Sequence, residues 1–252
     1  MQNQELLKLD GISKAFGKME VLSGINFTIM TGEVVALVGD NGAGKSTLIK
    51  IITGVHKPTT GEIFFKNQKT KIKSVSHSRS IGIEAVYQER ALADQQELYR
   101  NIFAGREITH FWGFMNIQKE KEETEKILKN TIGFTSKAIT MNSTVENLSG
   151  GEKQGIAFGR SLYFDADLII LDEPTMGLSL QETEKVLGFV KGLKNKNKSA
   201  IFIDHNIFHV YDVADRFIIL DRGKVMGQFK KEEISQKELM DKMISLHHSG
   251  NF

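Results

Sequence analysis

Short apolar segments alternate with amphipathic segments along most of the chain, and this alternation is the main signal for the fold. Because strands that alternate with helices form parallel sheets with right-handed crossovers, we expect an α/β architecture with a mixed, mainly parallel sheet. The predicted strands are Leu6–Leu9, Gly24–Met30, Val34–Val38, Gly61–Phe65, Ile83–Tyr87, Leu168–Leu171, Ala200–Asp204 and a final hairpin of Phe217–Leu220 with Lys224–Gly227. The predicted helices are Ser46–Ile52, Asn116–Ile132, Glu152–Phe164, Gln181–Leu193 and Glu232–Leu246.

The pattern changes between about residues 89 and 164, where charged residues surround apolar positions at helical spacing. We interpret this stretch as a mostly helical lobe inserted into an α/β core built from residues 1–88 and 165–252. The first strands of the core then form an N-terminal antiparallel β subdomain. The whole chain of 252 residues is expected to be a single domain.

Composition is ordinary for a soluble globular protein, with 40% apolar and 25% charged residues. The formal net charge of +2 is too small to argue for nucleic acid as a partner, and the absence of cysteine excludes disulfides and thiolate metal sites. No apolar run approaches the roughly 20 residues of a membrane span, and Met1–Glu5 does not begin a signal peptide. We therefore expect a cytoplasmic protein that reaches a membrane only through a partner.

The segment Gly39–Ser46 has the pattern G-x-x-x-x-G-K-S between a predicted strand and a predicted helix, which is the context of a phosphate-binding loop. Lys45 can reach the β- and γ-phosphates of a nucleotide, and Ser46 can bind Mg²⁺. A glycine-rich turn is the alternative, and the flanking strand and helix disfavour it. The residues expected to hold the nucleotide here are Gly39, Asp40, Asn41, Gly42, Ala43, Gly44, Lys45, Ser46 and Thr47.

Two acids follow the apolar strand Leu168–Leu171 directly. Ligands of open α/β sheets bind at the carboxyl ends of the strands, so Asp172 is placed to hold Mg²⁺ and Glu173 to polarise an attacking water. A strand that simply ends in polar residues is the alternative. The phosphate loop upstream favours the catalytic interpretation.

A second anion site is predicted where Ser149, Gly150 and Gly151 open a helix, because a hydroxyl and backbone N–H groups converge there. An N-cap with flexible glycines explains Ser149 but not the ordered series of motifs. With the phosphate loop and the acid pair, the sequence resembles the ATP-binding cassette superfamily, whose LSGGQ signature is matched by Leu148–Glu152 with Glu152 in the glutamine position. The resemblance implies a RecA-like P-loop NTPase core. It also implies that Ser149–Glu152 contact ATP.

Three further residues acquire roles through this resemblance. Gln88, at a strand end before the lobe, matches the glutamine-loop residue that contacts Mg²⁺ or the attacking water, although most glutamines are simply surface residues. His205 matches the switch histidine that contacts the γ-phosphate, although a lone loop histidine is usually only solvated. Phe16 stands where cassettes carry an aromatic that stacks on adenine, and a position in the core is its alternative.

The sequence departs from the cassette pattern at two positions. Most cassettes carry an aspartate where Ser179 stands, and that aspartate helps couple the two nucleotide sites. Asn206 follows the switch histidine where an aspartate is common, and we assign it no role. The stretches Gly82–Glu89 and Asn101–Glu107 resemble the ATPase subunits of simple-sugar importers, and the chain is similar to the single-cassette, fructose-type members.

The resemblance implies an ATP-hydrolysing importer subunit with Mg²⁺, in which two copies, or one copy and a second cassette, sandwich two ATP molecules head to tail. Its other expected partners are an integral-membrane permease and, indirectly, a solute-binding protein, at the cytoplasmic face of the membrane. Alternatives are an importer of a non-sugar solute, a soluble cassette protein acting on nucleic acid or ribosomes, and an unrelated P-loop kinase or GTPase. The last leaves Leu148–Glu152 unexplained.

The apolar side chains of Tyr99, Ile102 and Phe103 lie in a mostly polar neighbourhood of the predicted lobe. They either pack inside the lobe or line a groove for a permease helix. The sequence leaves both open.

Overall fold

The computed structural model describes residues 4–87, 92–131 and 139–248. The strands in these ranges are β1 (Glu5–Phe16), β2 (Met19–Met30), β3 (Val34–Val38), β4 (Thr60–Phe65), β5 (Gln68–Lys69), β6 (Ile83–Val86), β7 (Leu168–Asp172), β8 (Ser199–Ile203), β9 (Arg216–Asp221) and β10 (Lys224–Lys230). The helices are α1 (Lys45–Ile52), α2 (Val75–Ser80), α3 (Leu98–Phe103), α4 (Ile117–Thr131), α5 (Gly150–Tyr163), α6 (Leu180–Leu193), α7 (Ile207–Val213) and α8 (Gln236–His248).

A six-stranded sheet in the order β10-β9-β3-β8-β7-β6 forms the centre of the molecule. Its strands pair in parallel except for the antiparallel β9–β10 hairpin. All residues of β3 and β8 are buried, as expected for strands that are covered on both faces. The predicted mixed, mainly parallel sheet is confirmed. Because β3, β8 and β7 are neighbours, the loops that follow them meet at one edge.

A second, antiparallel sheet in the order β2-β1-β4-β5 packs against α1 and one face of the central sheet. Its two long strands exceed the predicted Leu6–Leu9 and Gly24–Met30, since β1 and β2 each extend over 12 residues and turn at Gly17 and Lys18. Several register shifts interrupt the pairing of these strands, so their apolar positions do not keep a regular alternation. The sequence pattern therefore reveals only the regular part of each strand.

The helices α3, α4 and α5 share a separate apolar cluster. Ile102 and Phe103 are fully buried in it and Tyr99 is 3% exposed. These three side chains therefore form lobe core, and the alternative in which they line an open groove is wrong. The boundaries of the lobe near residues 89 and 164 stay a prediction.

A buried carboxylate on β6 contacts two arginines, one from α2 and one from the segment that follows α3. The carboxylate of Glu84 on β6 is 3% exposed and contacts Arg106, after α3, at 2.5 Å and Arg79, on α2, at 3.5 Å. Burial, together with the positive charge of Arg79, lowers the pKa of Arg160 on α5 to about 10. One carboxylate thus holds together elements that are distant in the sequence.

Among the helices of the described ranges, none combines the length and the apolar character needed to cross a membrane.

Candidate functional site

The phosphate loop connects β3 to α1 and follows a path that requires glycine. Gly39, Gly42 and Gly44 have φ angles of 150°, 84° and 105°. A Cβ at Gly39 would lie 2.1 Å from the carbonyl oxygen of Leu220, which belongs to β9. The turn after β9 also anchors the loop, because the backbone N–H of Gly223 donates to the carbonyl of Ala43 at 2.9 Å.

The N-terminus of α1 carries no side-chain cap, and Ser46 in its first turn is exposed. Thr47 beside it is half-buried. Backbone N–H groups at such a helix end favour an anion. Asp40 and Asn41 are exposed at the tip of the loop. The described part of the loop is thus shaped to surround a phosphate chain.

The ammonium of Lys45 folds back over the loop, where Nζ donates to the carbonyls of Gly39 at 2.5 Å and Asp40 at 2.9 Å. Burial lowers its pKa, and the negative charges of Glu173 and Asp172 oppose this shift. Both acids at the end of β7 are close enough to act on the ammonium of Lys45, so the end of β7 and the phosphate loop belong to one site.

The acids that follow the buried part of β7 differ in environment. Burial raises the pKa of Asp172, and the neighbouring charge of Glu173 raises it further. Glu173 has a φ of 52°, an uncommon value for a residue other than glycine, and its backbone N–H donates to the carbonyl of Ile203 on β8 at 2.9 Å. Its carboxylate Oε1 lies 2.8 Å from Nε2 of His205, so the predicted base and the predicted switch histidine are in contact.

A second polar group beside these residues was missed by the sequence analysis. The hydroxyl of Thr175 donates to the carboxylate of Asp204 and lies 3.2 Å from Nδ1 of His209. Asp204 also accepts from the backbone N–H of Asn206 at 2.8 Å, and so it fixes the loop that carries His205. The position of Asp204 at the end of β8 was the available signal.

Phe16, at the end of β1, is 41% exposed, so the core alternative for it is wrong. His56 meets the ring edge-on at 5.3 Å, and the ammonium of Lys14 lies 4.8 Å from its centroid. These neighbours fix the ring of Phe16, which is still exposed enough to stack on a nucleotide base.

The signature segment opens α5, where Ser149 is the N-cap and Glu152 completes a capping box. The carboxylate of Glu152 accepts from the backbone N–H of Ser149 at 2.9 Å. A second carboxylate, that of Glu182 on α6, accepts from the backbone N–H of Gly151 at 2.9 Å and contacts the Ser149 hydroxyl at 3.2 Å. Gly150 begins the helix itself. The sequence analysis missed Glu182, although the spacing Ser179-x-x-Glu182 is that of a capping box.

The predicted metal ligands fit Mg²⁺ by their chemistry. Ser46 supplies a hydroxyl, and the raised pKa of Asp172 marks a carboxylate whose charge a cation would compensate. Gln88, the third predicted ligand, lies outside the described residues. Within the described ranges no group of three His, Cys, Asp or Glu side chains could hold a metal ion.

The family model for ABC transporters matches residues 22–176, more than half of the chain. This chain belongs to the ABC transporter family. It is similar to the xylose/arabinose import ATP-binding protein XylG of Sulfolobus acidocaldarius, with 45% identity over 96% of this chain and 94% of that protein. It is 34% identical to the ribose import ATP-binding protein RbsA of Caldanaerobacter subterraneus over 99% of this chain, but it spans only 49% of that relative.

Solved structures agree with the family. A nucleotide-free ATP-binding cassette from an ABC transporter superposes with a TM-score of 0.82 at 26% identity, over 96% of this chain and 98% of that one. The ADP conformation of the cassette MJ1267 gives 0.80 at 25% identity, over 97% and 98%. The predicted ABC ATPase fold is thereby confirmed, and the chain is an ABC-type ATPase.

Proposed function

We propose that the chain is the ATP-hydrolysing subunit of an importer for a simple sugar, working at the cytoplasmic face of a membrane with a permease. The grouping of Lys45, Asp172, Glu173 and His205 beside the phosphate loop carries the hydrolytic part of the proposal. The sugar is supported by the similarity to XylG over nearly the full length of both chains. No described feature favours nucleic acid.

In this proposal the loop Gly39–Gly44 surrounds the phosphates, and Lys45 neutralises charge on the β- and γ-phosphates. Ser46 and Asp172, with Gln88, would hold Mg²⁺, and the ion would neutralise the charge that develops on the phosphate oxygens. Phe16 stacks on the adenine.

Glu173 orients the attacking water and accepts its proton. His205 contacts Glu173 through Nε2 in the nucleotide-free chain and donates a hydrogen bond to the γ-phosphate when ATP is bound. Asp204 keeps the histidine loop in place by accepting from the backbone of Asn206.

Two such subunits, or one with a second cassette, pair head to tail, and Ser149–Glu152 of each contacts the ATP held by the other. The exposure of Ser149 and Phe16 supports this arrangement, because both can meet ligands from outside the subunit. ATP binding closes the pair and drives the permease, and hydrolysis reopens it.

The in-trans role is tested by Ser149→Arg. The variant should bind ATP as a monomer with nearly unchanged affinity but fail to dimerise or hydrolyse. Asn142→Arg, an exposed change in the same lobe, should dimerise normally. Weakened ATP binding by the Ser149→Arg monomer would contradict this assignment.

Deletion of the gene followed by uptake assays with labelled ribose, xylose, arabinose, galactose and fructose tests the transport role. Loss of uptake of at least one sugar, restored by the parental chain but not by Lys45→Ala, supports sugar import. Undiminished uptake of every sugar contradicts it. Fractionation should find the protein on membranes only when a permease is present.

A further inference from the structure

The donors of the signature segment already hold a carboxylate of the same chain. Oε1 of Glu182 accepts from the backbone N–H of Gly151 at 2.9 Å and lies 3.2 Å from the hydroxyl of Ser149. A Cβ built on Gly151 would fall 2.5 Å from the Glu182 side chain, so the carboxylate in this position packs directly against a residue that has no side chain. Glu182 therefore makes a close, built contact with the start of α5.

The second oxygen of the same carboxylate serves its own helix. Oε2 of Glu182 accepts from the backbone N–H of Ser179 at 3.0 Å and contacts its hydroxyl at 2.8 Å. The hydrogen bonds from Ser179, Gly151 and Ser149 lower the pKa of Glu182 to about 2, so the group is fully ionised at neutral pH. An anion thus joins the N-termini of α5 and α6.

A γ-phosphate reaching the signature segment would need the same donors. Two anions cannot share one N–H and one hydroxyl, and their like charges would repel within a few ångströms of each other. We propose that the carboxylate of Glu182 mimics the γ-phosphate in the free chain. It binds the Ser149 and Gly151 donors there and must leave before the ATP held by the partner subunit can bind them. This inference rests on the proposed in-trans role of Ser149–Glu152.

The release of Glu182 can also affect Glu173, the proposed catalytic base of the same chain. Glu182 lies on α6, and only the loop Pro174–Ser179 separates α6 from Glu173. Arrival of one ATP at α5 therefore breaks the contact between α5 and α6. Helix α6 directly follows the loop after Glu173, which acts on the other ATP. The hydrogen bonds between Glu182 and Ser179 at the start of α6 can remain when the contact with α5 is broken.

The variant Glu182→Gln tests whether Glu182 competes with the γ-phosphate in this way. Glutamine has one acceptor oxygen, so it cannot accept from the backbone N–H groups of both Gly151 and Ser179 as the two carboxylate oxygens do. It also removes the charge while still permitting a capping box with Ser179. The matched control is Glu238→Gln, because Glu238 makes the same box with Ser235 on α8 and has no contact with the signature segment among the described residues. Both changes are made in a Glu173→Gln background that blocks hydrolysis.

Two measurements are made on each variant: amide hydrogen exchange of Gly151 without nucleotide, and the ATP concentration giving half-maximal dimer with Mg²⁺. We expect Glu182→Gln to speed exchange at Gly151 and to lower the half-maximal ATP concentration about tenfold, since a hydrogen bond to a charged group is lost from the open state only. Glu238→Gln should change neither quantity.

Unchanged exchange at Gly151 would overturn the contact. Faster exchange with an unchanged or higher half-maximal ATP concentration would overturn the competition with phosphate. A Glu173→Gln parent that stays monomeric at saturating ATP and Mg²⁺ would instead overturn the proposed function, and this inference with it, so the two failures are distinguishable.

Discussion

His205 and Glu173 contact each other through Nε2 and Oε1 at a distance of 2.8 Å. The carboxylate is 15% exposed, whereas the imidazole is 54% exposed and open to a ligand. The left-handed backbone of Glu173 and its hydrogen bond to Ile203 fix the direction from which the carboxylate approaches. The proposed base is therefore oriented by the neighbouring strand before any nucleotide binds.

Glu173→Gln should bind ATP but hydrolyse it at least about a hundredfold more slowly, because the amide keeps the shape and loses the basic oxygen. The variant should accumulate as a dimer in ATP and Mg²⁺. Size-exclusion chromatography and phosphate release measure the two effects. Glu184→Gln on the exposed side of α6 is the control and should behave as the parent. Parental hydrolysis by Glu173→Gln would refute the proposed role.

The central sheet and most of the site follow from local sequence signals. The buried runs before Gly39 and before Asp172 predict strands because they are short, apolar and followed by polar ligand-binding residues. The parallel order of the strands then brings the two segments to the same edge. These relations are local or topological, so a single sequence is enough to derive them.

Other features depend on contacts between distant segments and could not be derived in this way. The burial of Phe103 arises from packing of three helices, and its polar sequence neighbourhood gives no sign of it. The contact of Glu182 with Gly151 joins residues that are far apart in the sequence. A capping box predicts that Glu182 turns toward Ser179, but not that its second oxygen reaches another helix.

Lys45→Ala should largely abolish ATP affinity or turnover, because the point charge on the β- and γ-phosphates is lost. The fold should remain intact, since the ammonium donates, among the described residues, to two loop carbonyls that water can satisfy. Nucleotide titration and phosphate release give the answer. Lys185→Ala, an exposed lysine of α6, is the control for the general loss of one charge. Unchanged affinity together with unchanged turnover would contradict the assignment.

Phe103→Asp should lower the melting temperature by about 10 °C or more, because a fully buried ring is replaced by a charge in the lobe core. Phe111→Asp is the matched control, since the Phe111 ring is 97% exposed and its replacement should leave the melting temperature nearly unchanged. Thermal unfolding followed by circular dichroism compares the pair. Similar melting temperatures for the two variants would contradict the core position of Phe103.

The proposed magnesium ligand Asp172 should lower the stability of the nucleotide-free chain at neutral pH. Burial and the charge of Glu173 hold its pKa above the value in the unfolded chain. The folded state therefore binds the proton more tightly, and the stability due to Asp172 is complete below the unfolded pKa of about 3.9 and is lost as pH rises through the folded pKa. Function, on this account, is maintained at a cost in stability.

Asp172→Asn should consequently melt about 2–4 °C above the parent at pH 7.5, and the difference should shrink as the pH falls through the folded pKa of Asp172, because its carboxyl then becomes uncharged like the asparagine amide. The same variant should bind ATP more weakly in Mg²⁺ than the parent, while binding without Mg²⁺ changes less. Thermal unfolding between pH 4 and 7.5, with Asp241→Asn as an exposed control on α8, measures the first effect. A variant that melts at or below the parental temperature at pH 7.5 would show that Asp172 is stabilised by its surroundings, and an unchanged Mg²⁺ dependence of ATP binding would remove it from the metal site.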